Sequence, residues 1–240
     1  RNILKLKKLQ KTYGSVNIAP GDLSNINEAN DILYNSFDEV YHLAGYKFVN
    51  FSEVNVLESI NSNLITTKNI LQYLRKNNPH TILYVVSSDK TNNVKGVYSA
   101  TKFLNDALVK EHKKYLKEIV NLRLSNIFKS PGSIGETWKK QIINNQTIKV
   151  SNPNATRFFS TIDNVISSLL NKDFKLQMKS LEMNDLIKAT IIKYNQNYDE
   201  NKIKLIGLDQ HENLHEFNER LDCSSENYPK YSVEDLVKII

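Results

Sequence analysis

Apolar side chains recur along the chain at two spacings, one suited to helices and the other to strands. Ile3, Leu6 and Leu9 fall at helical intervals, and "VNIAPGD" then reads as a short strand that ends at a Gly-Asp turn. "NINEANDILYNSF" starts with capping-type residues and predicts a second helix, followed by a strand at "DEVYHLAG". From Glu53 to Arg75, the residues Leu57, Ile60, Leu64, Leu71 and Leu74 mark one face of a long helix, with Pro79 beyond its end. "TILYVVSS" is the next strand, "GVYSATKFLNDALVKEHKKYL" the next helix, and "EIVNLRLSNIF" the strand after it. Strand alternating with helix predicts an α/β fold with a Rossmann-like parallel sheet and helices on both faces, because parallel neighbours need a crossover between them.

After Pro131 the pattern is less regular. Helices are expected at "GETWKKQIINNQ", "TIDNVISSLLN" and "EMNDLIKATIIKYN", and short strands at "TIKV" and "NKIKLIGL". The terminal helix opens on "SVED", a capping box with Asp in the place of Glu. The expected organisation is a Rossmann-like domain over 1–130 and a smaller α/β lobe over 131–240, some of whose segments return to the first domain.

Composition narrows the class. The 240 residues are 40% hydrophobic and 24% charged, enough apolar surface to bury a core. No run approaches the roughly 18 apolar residues of a membrane span, and "RNILKLKKLQ" lacks the features of a signal peptide. The single cysteine, Cys223, excludes an intrachain disulfide and a Cys-rich zinc site, which suits a reducing cytoplasm, and no structural metal is expected. The net charge of +6 is spread over helices and loops without interleaved aromatic residues, so nucleic acid is not an expected partner.

In open parallel sheets ligands bind beyond the carboxyl ends of the strands. Several polar groups fall there: Gly21-Asp22, Ala44-Gly45, Ser87 to Lys90, and Ser125-Asn126. Tyr98 and Lys102 form Tyr-x-x-x-Lys near the start of a helix, one turn apart on one face. An ammonium close to a phenol favours the phenolate and lowers its pKa from about 10, making it a usable base near neutrality. Tyrosine and lysine at this spacing also occur as a packed ring and a snorkelling amine. The preceding Ser87-Ser88, whose hydroxyl could join the tyrosine in polarising an oxygen, strengthens the catalytic reading.

With these residues in place, the chain resembles an extended short-chain dehydrogenase/reductase, whose Ser/Thr, Tyr and Lys would be Ser88, Tyr98 and Lys102. Ser88-Asp89-Lys90, with Tyr98 eight residues after Lys90, narrows the resemblance to nucleotide-sugar 4,6-dehydratases of polysaccharide biosynthesis acting on UDP-N-acetylglucosamine. "GDLSN", "VYHLAGYKFV", "INSNLITTKNIL", "VYSATK", "LRLSNI", "SPGSI", "TRFF" and "HENLHE" stand in that family's order. The resemblance implies Tyr98 as base for the C4 hydroxyl, Lys90 as base for H5, and Asp89 as acid for the departing C6 hydroxyl. It implies a cofactor, NADP or else NAD, held by Arg1, Asp22, Leu23, Leu43, Ala44, Asn63, Tyr98 and Lys102. A UDP-sugar would meet Lys47, Asn126, Arg157, Glu212 and His215. A homo-oligomer is also implied.

The chain departs from the family pattern at several positions. No Gly-x-x-Gly-x-x-Gly turn occurs, so the first βαβ unit of the fold is expected to be missing from the front of this sequence. Leu124-Ser125-Asn126 stands for Tyr-Gly-Asn, Phe48 for a histidine, and Asp209-Gln210-His211-Glu212 for Arg-Pro-Gly-Glu. A 4-epimerase on the same scaffold, and a non-catalytic relic or binding subunit, are the alternative readings. The epimerase needs Tyr98 and Lys102 but neither Asp89 nor Lys90.

Overall fold

The computed structural model describes residues 3–172, 177–219 and 221–240. The chain forms two compact units, one of residues 1–87 and 96–122 and the other of residues 88–95 and 123–240. In chain order the elements begin with α1 (Ile3–Thr12), α2 (Ile26–Ile32), β1 (Glu39–His42), α3 (Val49–Val54), α4 (Val56–Ile60) and α5 (Thr66–Asn77). They continue with β2 (Ile82–Ser88), α6 (Gly96–His112), β3 (Glu118–Leu124), β4 (Asn126–Ile127), α7 (Ile134–Ile143), β5 (Ile148–Val150) and β6 (Thr156–Ser160). The last are α8 (Ile162–Leu170), β7 (Lys179–Glu182), α9 (Met183–Tyr194), β8 (Ile203–Leu205), β9 (Phe217–Asn218), β10 (Cys223–Ser224) and α10 (Val233–Ile239).

The strands β1, β2 and β3 form a sheet in that order, with β1 and β2 parallel and His42 opposite Val85. The fold is the expected Rossmann-like α/β type. Leu71 and Leu74 of α5 and Val109 of α6 pack with Leu83 and Val85 of β2 into one core. Burial of these apolar faces against the sheet is what makes both helices stable here.

Three local expectations for this half fail, each for a backbone reason. Residues 16–22 form no strand, because no described segment pairs with them and a strand requires a hydrogen-bonded neighbour. The long helix expected over 53–75 is broken at Asn55, where φ is −125° and ψ is 55°. There both the Asn55 N–H and its side-chain amide donate to the Phe51 carbonyl, closing the last turn of α3. A π-helical turn then follows at Asn61–Ile65, with the Thr66 N–H reaching back five residues to the Asn61 carbonyl. Finally, the strand expected at "EIVNLRLSNIF" divides at Ser125 into β3 and β4, which belong to different sheets.

The second unit has a core of its own, built on Trp138 and Ile142 of α7, Leu181 of β7, Leu186 of α9 and Leu236 of α10. Its three-stranded sheet runs β4-β6-β7, parallel between β4 and β6 and antiparallel between β6 and β7. Sequence pattern anticipated neither β6 nor β7, since both are short and lack sustained alternation. A parallel pair β5-β8 and a small hairpin β9-β10 complete it. The expected capping box is present: the Ser232 hydroxyl accepts from the Asp235 N–H and the Asp235 carboxylate accepts from the Ser232 N–H.

Leu71 is fully buried while Leu57 is 77% exposed on α4, so equal truncations should differ. Leu71→Ala is expected to cost about 2–5 kcal/mol in urea denaturation and Leu57→Ala less than about 0.5 kcal/mol. Equal losses would contradict the packing described.

Candidate active site

Among the described residues, the anticipated side chains fall into a group in each unit. In the first, α6 presents Tyr98 and Lys102 on successive turns, and both side chains are buried. Lys102 is only 8% exposed, and its Nζ donates to the Val86 carbonyl on β2 at 3.0 Å. Burial pushes the Lys102 ammonium below its ordinary pKa, while Asp106, one turn on, partly opposes the shift. His42, at the end of β1, is pushed down to about 4 by burial and then by the Lys102 charge, so it is neutral at physiological pH. Its Nε2 lies 2.8 Å from the Thr67 hydroxyl.

The π-helical turn sets Asn63 at the centre of this cluster. Its Oδ1 accepts from the Tyr46 N–H at 2.8 Å, and its Nδ2 donates to the Tyr46 carbonyl and to the Thr101 hydroxyl. One side chain thereby fixes both the loop after β1 and the helix bearing Lys102. That loop passes close: a Cβ at Gly45 would lie 3.0 Å from Asn63 Oδ1 and 3.4 Å from Lys102 Nζ. Leu43 and Ala44, just before Gly45, are exposed.

Other expected residues of this unit lie outside that group of contacts. The Asp22 carboxylate is exposed and accepts from the N–H and hydroxyl of Ser24, closing its turn. Leu23 packs on the edge of the core, and its carbonyl accepts from the Asn69 amide. Lys47 is exposed, with its ammonium 5.5 Å from the centre of the Phe48 ring. Arg1 lies outside the described residues.

In the second unit, Ser88 begins a 3-10 turn over Asp89–Thr91, and its Oγ accepts from the Lys90 N–H at 3.3 Å. The Ser88 hydroxyl donates to Asp89 Oδ1, also at 3.3 Å. Asp89 is 6% exposed, and its Oδ2 is buried with no hydrogen-bond partner. Burial, and then the charge of Glu216, push the Asp89 carboxyl up from 3.8 to about 7 against the opposing pull of Lys90 and Ser88.

Glu216 was not among the residues anticipated, yet it organises this cluster. Its carboxylate accepts from Lys90 Nζ at 3.0 Å, from Asn126 Nδ2 at 3.2 Å and from the Phe158 N–H at 3.1 Å. The Arg157 Nε lies 3.6 Å away, and Lys90 Nζ lies 3.9 Å from Asp89 Oδ1. The donors come from the 3-10 turn, β4 and β6, segments distant in sequence, so helical or strand spacing gave no sign of the cluster. The Glu216 N–H donates to the Ser225 hydroxyl, which donates in turn to the Thr156 carbonyl, seating this glutamate from behind.

Two other anticipated substrate contacts lie beside it, and a third is separate. Arg157 directs its guanidinium to the Thr156 and Leu214 carbonyls as well as to Glu216. The His215 Nδ1 lies 2.8 Å from the Thr156 hydroxyl, and its Nε2 lies 3.6 Å from Glu226. Glu212 is half-buried, its Oε2 has no hydrogen-bond partner, and its backbone carbonyl accepts from Lys95 Nζ. Among the described residues no group of His, Cys, Asp and Glu is placed to hold a metal ion, and no helix is long and apolar enough to cross a membrane.

Comparison with known proteins gives this arrangement a context. Residues 3–239 match the family model described as polysaccharide biosynthesis protein. A relative named as an uncharacterized membrane protein of Methanocaldococcus jannaschii is 29% identical over 83% of this chain and 63% of its own length. The probable polysaccharide biosynthesis protein EpsC of Bacillus subtilis is 34% identical over 51% of this chain and 21% of its own. The chain therefore spans less than two thirds of either relative. Among solved structures, the dTDP-glucose 4,6-dehydratase DesIV of Streptomyces venezuelae, a double mutant with NAD and DAU bound, superposes with a TM-score of 0.76 at 13% identity, covering 99% of this chain and 82% of that one. The UDP-N-acetylglucosamine 4-epimerase of Methanobrevibacter ruminantium, in complex with UDP-N-acetylmuramic acid, gives 0.70 at 17% identity, covering 91% and 80%. At these identities the two structures establish the fold.

The Asp89 carboxyl carries a stability consequence. Its folded-state pKa lies above the ordinary 3.8, so its contribution to stability is present below that pH and is lost as pH rises through about 7. Asp89→Asn, which keeps the neutral shape, is expected to be more stable than the parent protein by about 1 kcal/mol or more at pH 8. The difference should shrink toward pH 5 in chemical denaturation; an equal or lower stability at pH 8 would contradict the environment described.

Proposed function

Because the chain belongs to the polysaccharide biosynthesis protein family of extended short-chain dehydrogenase/reductases, we propose that it serves as a nucleotide-sugar 4,6-dehydratase on UDP-N-acetylglucosamine. The observation that carries this reading is the Asp89–Lys90 pair: a buried carboxyl pushed up to about 7, with an unpartnered oxygen, next to an amine. A 4-epimerase has no step that needs such a pair. An elimination needs an acid to release the C6 hydroxyl and a base to take H5.

A nicotinamide cofactor, NADP in this reading, supplies when bound the hydride chemistry at C4 and C6. A lysine ammonium has three donors, of which the Val86 carbonyl takes one, and the Gly45 backbone runs beside it. That donor set fits ribose hydroxyls, with Leu43, Ala44 and Asn63 lining the approach and Asp22, Leu23 and Arg1 assigned to the nucleotide end. The same reading gives residues 1–130 to cofactor binding and 131–240 to the sugar nucleotide.

Tyr98 acts as the base toward the C4 hydroxyl, with Lys102 favouring its phenolate and the Ser88 hydroxyl polarising the same oxygen. The resulting ketone acidifies H5. Lys90, once its ammonium has released a proton to solvent, takes H5, and the Asp89 carboxylic acid gives its proton to the C6 oxygen, which leaves as water. Asn126, Arg157, Glu212, His215 and Lys47 are assigned to the UDP-sugar, Arg157 because its fork suits a diphosphate. Cytoplasmic location and a homo-oligomer belong to this reading as well.

The test uses the full-length protein with UDP-N-acetylglucosamine and mass detection. The parent protein is expected to produce a species lighter by one water. Lys90→Ala and Asp89→Asn should lose that product by at least about 100-fold while still exchanging hydrogen at C4 with the cofactor. Lys102→Ala should lose both. A protein that inverts C4 without losing water, with Lys90→Ala fully active, would instead be an epimerase.

A further inference from the structure

Glu216 has no part in the steps just described, yet the residue is buried and its carboxylate meets donors from three separate elements. Resting on the dehydratase reading, we propose that Glu216 is a positioning residue that keeps the proton on Asp89 and holds Lys90 in place for the elimination. Its geometry is asymmetric. Lys90 Nζ bonds Glu216 Oε1 at 3.0 Å but stands 3.9 Å from Asp89 Oδ1, so the amine's close partner is Glu216. Asp89 is thereby left without the tight ion pair that would make it a carboxylate.

The charges around the pair support this division. Glu216 is faced by Lys90 from the 3-10 turn, Arg157 and the Phe158 N–H from β6, and Asn126 from β4. Each is a donor, so the donors of the cluster converge on the Glu216 carboxylate. Asp89 is faced by the Ser88 hydroxyl, the Lys90 ammonium at 3.9 Å, the Lys90 backbone N–H and Glu216, and is buried. Two neighbouring acids in one dry site do not both ionise readily, and the one with fewer donors keeps its proton. His215, adjacent to Glu216, turns its ring to Thr156 and Glu226. The proton that Asp89 spends on the leaving hydroxyl is thus retained for it by Glu216.

The test is the pH profile of water loss from UDP-N-acetylglucosamine by the full-length protein, with Glu216→Gln and Glu216→Asp beside the parent. Glutamine keeps an acceptor for the Phe158 N–H and removes the charge; aspartate keeps the charge but withdraws it. The limb of the kcat profile governed by Asp89, identified by the carbon-13 titration of its carboxyl in the same variant, is expected to move toward acid by at least about one pH unit in Glu216→Gln and by less in Glu216→Asp. KM should change less than about threefold, and kcat at pH 8 should fall about tenfold or more. If the limb stays at the parent position in every variant that folds, whatever the height of the profile, Glu216 is structural only and the proposal is overturned. Absence of water loss by the parent protein itself would instead overturn the dehydratase reading.

Discussion

Two acids in one buried cluster cannot both ionise without cost, and in this protein the hydrogen-bond donors converge on Glu216 while burial and the neighbouring Glu216 push the Asp89 carboxyl up to about 7. Much of the second unit's local architecture serves that distribution. The parallel pairing of β4 with β6 sets Asn126 opposite Phe159, bringing the Asn126 amide to the Phe158 carbonyl and to Glu216. The Thr156–Ser225 pair then fixes the backbone of Glu216 from the other side. Removing any one of these donors leaves a buried carboxylate less satisfied, which is the costly direction for a charge.

The first unit solves a different problem, that of holding a cation in a place with little water. Lys102 is buried against β2, and its ammonium is disfavoured by that burial, with Val86 and Asp106 as partial compensation. Neutral His42 adds no second charge. The π-helical turn has a definite task here, since it places Asn63 where one amide bonds Tyr46 on both its N–H and its carbonyl and also reaches Thr101. A regular helix through 61–65 would rotate that amide away, which is a physical reason for the irregular backbone.

The fold was legible in the sequence because its signals are local. Apolar spacing located α5, α6, α7 and α9, the run at "ILYVV" located β2, and the capping box at Ser232 located the start of α10. What escaped depends on contacts between distant segments. Residues 16–22 have strand-like composition but pair with no strand among the described residues, and β6 and β7 are strands chiefly because they pair with each other. The residue order Ser88-Asp89-Lys90 with Tyr98 and Lys102 could be read as chemistry from spacing alone. Glu216 could not: it stands beside a second acidic residue, Glu212, in "HENLHE", and only the folded chain brings Lys90, Asn126 and Arg157 to it.

The protonation of Asp89 at neutral pH is the claim on which the account turns. Carbon-13 NMR of protein labelled at the aspartate carboxyl carbons, with the Asp89 signal assigned by its loss in Asp89→Asn, measures it without reference to any substrate. This resonance is expected to titrate near pH 7, apart from the exposed aspartates. A midpoint near the ordinary 3.8 would mean that Asp89 is a carboxylate in the resting protein, contradicting its assignment as the elimination acid.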